Sequence, residues 1–150
     1  MHSSLRGPAG VVDFDYEADC DAQSTLEMIT RIIGRGHDTV TIRETGRLSG
    51  EGARAVLNSY LALRDDARAE VYNTLSATAP YARGHVDCKE IVQDRAFAKA
   101  VPVVEVSHPL AHITHEAAIG SVDSKQLQTL MSRGLSEDDA TDLIIEGLLS

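Results

Sequence analysis

Five short units built on small residues recur at nearly even spacing through this chain, and they leave it few ways to fold. Ala53-Arg54-Ala55 leads into Val56-Leu57, and Ala67-Arg68-Ala69 into Glu70-Val71-Tyr72. Ala82-Arg83-Gly84 leads into His85-Val86-Asp87-Cys88, Ala98-Lys99-Ala100 into Val101-Pro102-Val103, and Ala111-His112-Ile113 into Thr114-His115-Glu116. The unit starts lie 14, 15, 16 and 13 residues apart. Such units are too short for helix pairs. Small residues at regular spacing before short segments predict strands stacked along a solenoid.

The segments alternate as strands do. Val40 and Ile42 share one face, while Thr41 and Arg43 take the other. Leu57, Ser59, Leu61 and Leu63 share a face, as do Val71, Asn73 and Leu75. Aromatics are 4% of the chain and Trp is absent, so Val, Ile, Leu and Ala must build the core. Such side chains suit closely stacked strands. The reading is a mainly β chain, a right-handed parallel β-helix (solenoid) over residues 11–122. A β-sandwich has strands of comparable spacing. Few Asn-Gly or Asp-Gly hairpin turns are present, which favours the β-helix.

The pattern changes after Gly120. Asp123 with Gln126 makes a capping box, and Leu127, Leu130 and Met131 form an apolar helical stripe closed by Gly134. Ser136 with Asp139 opens a second helix, with Glu137, Asp138 and Asp139 in the first turn, where the helix dipole favours acids. Leu143, Ile144 and Leu148 make its stripe. The helical hairpin, residues 123–150, is expected to cap the open end of the solenoid. Residues 1–10, which include Ser3-Ser4 and Gly7-Pro8, read as a flexible tail.

Composition limits the function. The 150 residues are 43% apolar and 25% charged, as in an ordinary globular domain. A net charge of −9 argues against nucleic acid, because binding a phosphate backbone relies on Lys and Arg. No 18-residue apolar run predicts a membrane span. The start has no signal-peptide core, and two distant cysteines make no disulfide framework, so a reducing, cytoplasmic setting is expected. No phosphate-binding Gly loop, Rossmann fingerprint or nucleophile elbow is present. Gly34-Arg35-Gly36-His37 is an isolated turn, and Asp65-Asp66 reads as a solvated turn.

Metal chemistry remains. Three of the six histidines, His108, His112 and His115, lie within eight residues, and His115 is followed by Glu116. An imidazole and a carboxylate are both ligands for first-row metals. Cys88, in a strand-like segment, adds the soft ligand that iron–sulfur chemistry uses. In a straight strand His115 and Glu116 face opposite sides. Both could serve one metal only if a bulge re-aims one, or if a second copy supplies the other across an interface. His115, among Ile113, Ala117 and Ile119, also fits a histidine satisfied within a core. His112-x-x-His115 splits across the two faces and is a weak ligand pair. His108 beside Pro109 reads as a turn residue, and Cys20 as structural.

The stretch from Arg83-Gly84-His85-Val86-Asp87-Cys88 through His115-Glu116-Ala117, Gln126-Leu127 and Ser132-Arg133-Gly134-Leu135-Ser136-Glu137 to Ala140 resembles the C-terminal part of the SufB/SufD family. These are scaffolds of the SUF iron–sulfur cluster assembly machinery. The specific resemblance covers roughly residues 80–147. Residues 11–79 fit the family's β-helix in style only, and the chain is far shorter than usual members.

The resemblance implies a parallel β-helix with a C-terminal helical segment. It also implies dimerisation through the terminal strands, as a homodimer or with a SufB/SufD paralogue, and docking of a SufC-type ABC ATPase on the helices. Cys88 matches the strand cysteine implicated in cluster building, and His115 and Glu116 match the His-Glu pair near the dimer interface. The Glu after that His is SufB-like. The expected ligands of a transient iron–sulfur cluster are therefore Cys88, His115 and Glu116, and the expected role is a scaffold with no enzymatic activity of its own. Glu137, Asp138, Asp139 and Asp142 form the acidic face expected to meet the ATPase. A second expectation is a docking and dimerisation platform with no cluster site. A β-helix carbohydrate-active enzyme is disfavoured by the lack of an acidic catalytic cluster and of aromatic platforms.

Overall fold

A computed structural model describes residues 10–150. The expected tail therefore lies, except for Gly10, outside the described residues. Eight strands follow one another: β1 (Val11–Cys20), β2 (Thr25–Gly34), β3 (Thr39–Leu48), β4 (Arg54–Leu63), β5 (Arg68–Ala77), β6 (Arg83–Val92), β7 (Phe97–Val106) and β8 (His112–Gly120). Two helices end the chain, α1 (Ser124–Met131) and α2 (Glu137–Leu149).

Successive strands alternate between two parallel sheets, ordered β1-β3-β5-β7 and β2-β4-β6-β8. Each of β1 to β6 pairs with the strand 28 or 29 residues further on. Two of the repeating units therefore make one coil, and the eight strands make a solenoid of four coils. The expected β-helix is what forms, and not a sandwich.

The repeat marks the corners. Ala53, Ala67, Ala82, Ala96 and Ala111 each donate a backbone hydrogen bond to the carbonyl three residues earlier, just before a strand begins. Ala53, Ala67 and Ala82 are fully buried, where a larger side chain would meet the neighbouring coil. The fourth unit is thus Ala96-Phe97-Ala98 and not Ala98-Lys99-Ala100. Phe97 hides it because an aromatic replaces the usual Arg, yet its ring points outward and is about half exposed. The turns also stack. Gly36, Asp65 and Asp94 each have positive φ. The Gly36 N–H donates to the Asp65 carboxylate (2.8 Å) and the Asp65 N–H to that of Asp94 (3.1 Å). Asp66 pairs with Arg95. The acidic turn is structural, as expected.

Inward rows fill the core. Leu57, Leu61, Leu63, Val71, Leu75 and Val86 are completely buried. Asp123 caps α1 by accepting from the Gln126 N–H, and Ser136 caps α2 by accepting from that of Asp139, as expected. The helices' position differs from the expectation. α2 folds back over the outer face of the β2-β4-β6-β8 sheet, where Ile145 and Val122 cover Ala62, with Ile91 packed alongside. β8 stays almost wholly exposed. Arg64 fixes the helix there, donating to Asp138 (2.6 Å) and Asp142 (3.0 Å). The buried face of α2 is consequently Ala140, Thr141 and Ile145, while Leu143 and Leu148 are exposed.

Candidate functional site

Two inward rows face each other through the middle of the solenoid. On one sheet Tyr16, Glu44, Asn73 and Pro102 are in register. On the other Thr30, Ser59, Cys88 and Ala117 are in register. Polar residues in these rows form one connected line. The Thr30 hydroxyl donates to Glu44 Oε1 (2.6 Å), and the Ser59 hydroxyl to Glu44 Oε2 (3.3 Å). Asn73 Nδ2 donates to Glu44 Oε2 (2.6 Å) and to Ser59 Oγ (3.2 Å). The Cys88 thiol donates to Asn73 Oδ1 (3.1 Å). Glu44, Ser59, Asn73 and Cys88 are all completely buried. The line ends at Cys88, because Pro102 and Ala117 continue the rows on the last coil without a polar side chain.

Cys88 stands second-last in its row, one strand below the open edge. Burial pushes its thiol up to about 12, and the nearby carboxyls of Glu90, Glu44 and Asp87 add to the shift. Without a cation Cys88 is therefore a neutral thiol. Burial also raises the Glu44 carboxyl, against the pull of its three donors.

Glu90 is absent from the sequence expectations. It shares the inward face of β6 with Val86 and Cys88 and is 1% exposed. Among the described residues, neither of its oxygens has a hydrogen-bond partner. Its register neighbours, Leu61 and Ile119, are apolar. Burial pushes its carboxyl up to about 7, with a further push from Asp87. The period-2 alternation of Val86, Cys88 and Glu90 was the one signal that could have found it.

β8 carries the other two expected ligands. Its pairing with β6 runs without a bulge from Arg83↔His112 to Ile91↔Gly120. His115 therefore takes the inward parity, opposite Val86, and lies diagonally from Cys88. Glu116 takes the outward parity, opposite Asp87. On that outer face Tyr60 and Lys89 both donate to Asp87 Oδ2, at 3.0 and 2.9 Å. His115 and Glu116 are both exposed. Cys88 and His115 thus share a face, and Glu116 is separated from both by its own strand. Among the described residues, no three His, Cys, Asp or Glu side chains are already gathered around a metal position.

The remaining expectations are simpler. His108 Nδ1 accepts from the Leu110 N–H within a turn, and Cys20 is a buried core residue of β1. His112 lies on the outward face of β8. Asp138 and Asp142 of the expected acidic face are held by Arg64, and Asp139 accepts a hydrogen bond from Ser136, so only Glu137 has no partner within that quartet.

Comparison with known proteins adds a second line of information. The family description "SUF system FeS cluster assembly, SufBD core domain" matches residues 93–148. An iron–sulfur cluster assembly SufBD family protein of Methanocaldococcus jannaschii is 39% identical over 144 residues, 96% of this chain and 46% of that protein. A SufBD family protein of Pyrococcus horikoshii is 41% identical over 132 residues, 88% of this chain and 40% of that protein. The iron–sulfur cluster assembly protein SufB of Bacillus subtilis is 33% identical over 69 residues, 45% of this chain and 15% of that protein. The chain spans less than half the length of these relatives. Likeness to the archaeal proteins runs through nearly all of it, including the coils before residue 80.

Proposed function

Since the chain belongs to the SufB/SufD family of iron–sulfur cluster assembly proteins and resembles the family's C-terminal part, we propose that it acts as a scaffold, holding iron and sulfide transiently near its last coil. One observation carries this reading: Cys88 and His115 share the inward face of adjacent strands at the open edge. A thiolate is a strong soft ligand for iron, and an exposed imidazole is a more labile one, suited to releasing a cluster. Among the described residues no strand pairs with the far edges of β7 and β8, and a second SufB/SufD chain, identical or paralogous, would close the site there. Glu116, on the outer face, would then act towards that second chain. A SufC-type ATPase would drive the cycle by docking on the outer side of α1 and α2, away from Arg64, and the chain itself would catalyse no reaction.

A second reading, a docking and dimerisation platform without a cluster, draws on the lack of a preformed metal position among the described residues. Anaerobic reconstitution with iron and sulfide separates the two. The scaffold reading expects a sulfide-to-iron absorption band and transfer of the cluster to an apo-ferredoxin. Correctly folded protein that acquires no band under these conditions would leave the platform reading standing.

A further inference from the structure

Resting on the scaffold reading, we propose that Asn73 is a positioning residue for the Cys88 sulfur: its amide offers an oxygen to the free thiol, and it turns over to offer an N–H once a metal has replaced the thiol proton.

Three observations converge. The first is that the amide is the polar contact of the sulfur. Cys88 and Asn73 are both completely buried, and the thiol donates to Asn73 Oδ1 at 3.1 Å. Among the described residues the thiol has no second hydrogen-bond partner. Of its register neighbours, Ala117 has no polar side chain, and Ser59 is engaged with Glu44 and Asn73.

The second observation is the direction of the amide. An ionised carboxylate only accepts hydrogen bonds. Glu44 therefore draws Asn73 Nδ2 towards itself, at 2.6 Å, and leaves Oδ1 facing Cys88. That arrangement suits a protonated thiol alone. Sulfur bonded to a metal has no proton to donate and is itself an acceptor. It would face Oδ1 lone pair to lone pair in a dry interior, where such contacts are costly. Metal-bound sulfur is instead held and tuned by hydrogen-bond donors. Nδ2 of the same amide supplies one when the group turns over.

The third is that the surroundings accept both positions. The oxygen and the NH2 of an amide are nearly the same size, and the terminal torsion is broad and roughly two-fold, so the turn needs no extra volume. The Ser59 hydroxyl now accepts from Nδ2 at 3.2 Å, and in the turned state it donates to Oδ1. Glu44 then faces Oδ1 and needs a proton to bond it. Burial already raises the Glu44 carboxyl, which brings protonation within reach. The titratable groups turned towards Glu44 from the strands around it are Tyr16, its register neighbour on β1, and Cys88 beyond the amide; β2 and β4 present the hydroxyls of Thr30 and Ser59. The exchange balances. The S–H bond breaks as the sulfur–metal bond forms, the thiol proton leaves to solvent, and Glu44 takes up one proton from solvent.

The test loads the intact chain with methylmercury, a soft cation that takes a single thiolate. A Cys20→Ser background leaves Cys88 as the one thiol. At equilibrium the side-chain N–H protons of Asn73 should lose their nuclear Overhauser contacts to Ser59 and gain contacts to the Cys88 methylene. Loading in weakly buffered solution should release well under one proton per methylmercury from this protein. Glu44→Gln, which cannot take up the proton, and Asn73→Leu, which cuts the link, should each release close to one. Urea melts confirm that both variants are folded, and the first guards against a failure of the second. Unchanged amide contacts in the fully loaded protein would overturn the assignment, and so would a full proton released by parent and variants alike. A parent that shows the methylmercury response but gains no band on reconstitution with iron and sulfide would overturn the scaffold reading and leave Asn73 as the positioning residue of a buried thiol.

Discussion

The Cys88 thiol donates to the side-chain carbonyl of Asn73 across the interior at 3.1 Å, joining the proposed metal ligand to a polar line that reaches Glu44 and Thr30. Asn73 is in turn held by Glu44 and Ser59, so the thiol's orientation is set by residues three and two strands away from it in the chain.

Cys88→Ser preserves this bond with a stronger donor of similar size. Stability should change by less than about 1 kcal/mol, while cluster assembly is lost. Cys88→Ala leaves Asn73 Oδ1 unpaired in a dry interior and should cost about 1–3 kcal/mol. Urea melts of the two variants check the difference. Two variants of equal stability would mean that the bond carries little weight.

Thiol reactivity follows from burial. With the Cys88 thiol pushed up to about 12 and that of Cys20 also raised, neither is a thiolate at pH 8. Reaction with a disulfide reagent should be slow in the native protein and should release two thiols per chain on denaturation. Fast native labelling of Cys88 would show that the last coil opens readily.

The two buried glutamates should respond oppositely to removal. Glu44→Leu strands the Thr30, Ser59 and Asn73 donors and should destabilise by about 3 kcal/mol or more. Glu90→Leu removes a carboxyl with no partner and should be neutral or stabilising at pH 8. The pH dependence fixes the sign. The folded carboxyl of Glu90 sits at about 7, above its ordinary value of 4.5, so the folded state binds the extra proton. The contribution of this one group to stability is fully present below pH 4.5 and is lost, by up to about 3 kcal/mol, as pH rises through about 7. Melts of parent and Glu90→Leu across pH 5–8 should diverge with rising pH. Parallel curves would count against the buried carboxyl.

Arg64 links the β4–β5 corner to α2 through Asp138 and Asp142. The Arg64 side chain is only 14% exposed, although Asp138 is mostly solvated, so Arg64→Ala should cost about 1–2 kcal/mol. Hydrogen exchange should quicken in α2 and leave the strands unchanged. Uniform quickening throughout the chain would mean that the helix is not a separable layer.

The open edge predicts association. Among the described residues no strand pairs with the far edge of β8, and Val103, Val106 and Ile119 are each roughly half exposed nearby. Light scattering at tens of micromolar should show a dimer, and Ile119→Lys should shift it towards monomer. A strictly monomeric parent would place the partner surface elsewhere or require a paralogue.

Period-2 alternation in the sequence marked the inward faces of β3, β4 and β5, and small residues marked the corners at Ala53, Ala67, Ala82 and Ala111, but not the one at Ala96. Both are local properties of a strand and its turn, so they can be read from neighbouring residues. The helix caps at Asp123 and Ser136 were legible for the same reason. The coil itself was not, because pairing joins every second strand, and a 14-residue repeat does not reveal that two units close one turn. Nor was the polar line, since Glu44, Ser59, Asn73 and Cys88 meet only when two sheets face each other at residue separations of 14, 15 and 29. The buried side of α2 depended on Arg64, 74 and 78 residues away from its two acids, an attraction no helical periodicity encodes. Parity placed His115 and Glu116 on opposite faces from the sequence alone. Only the unbroken register of β8 on β6 decided which of the two shares a face with Cys88, because a single bulge would have exchanged them.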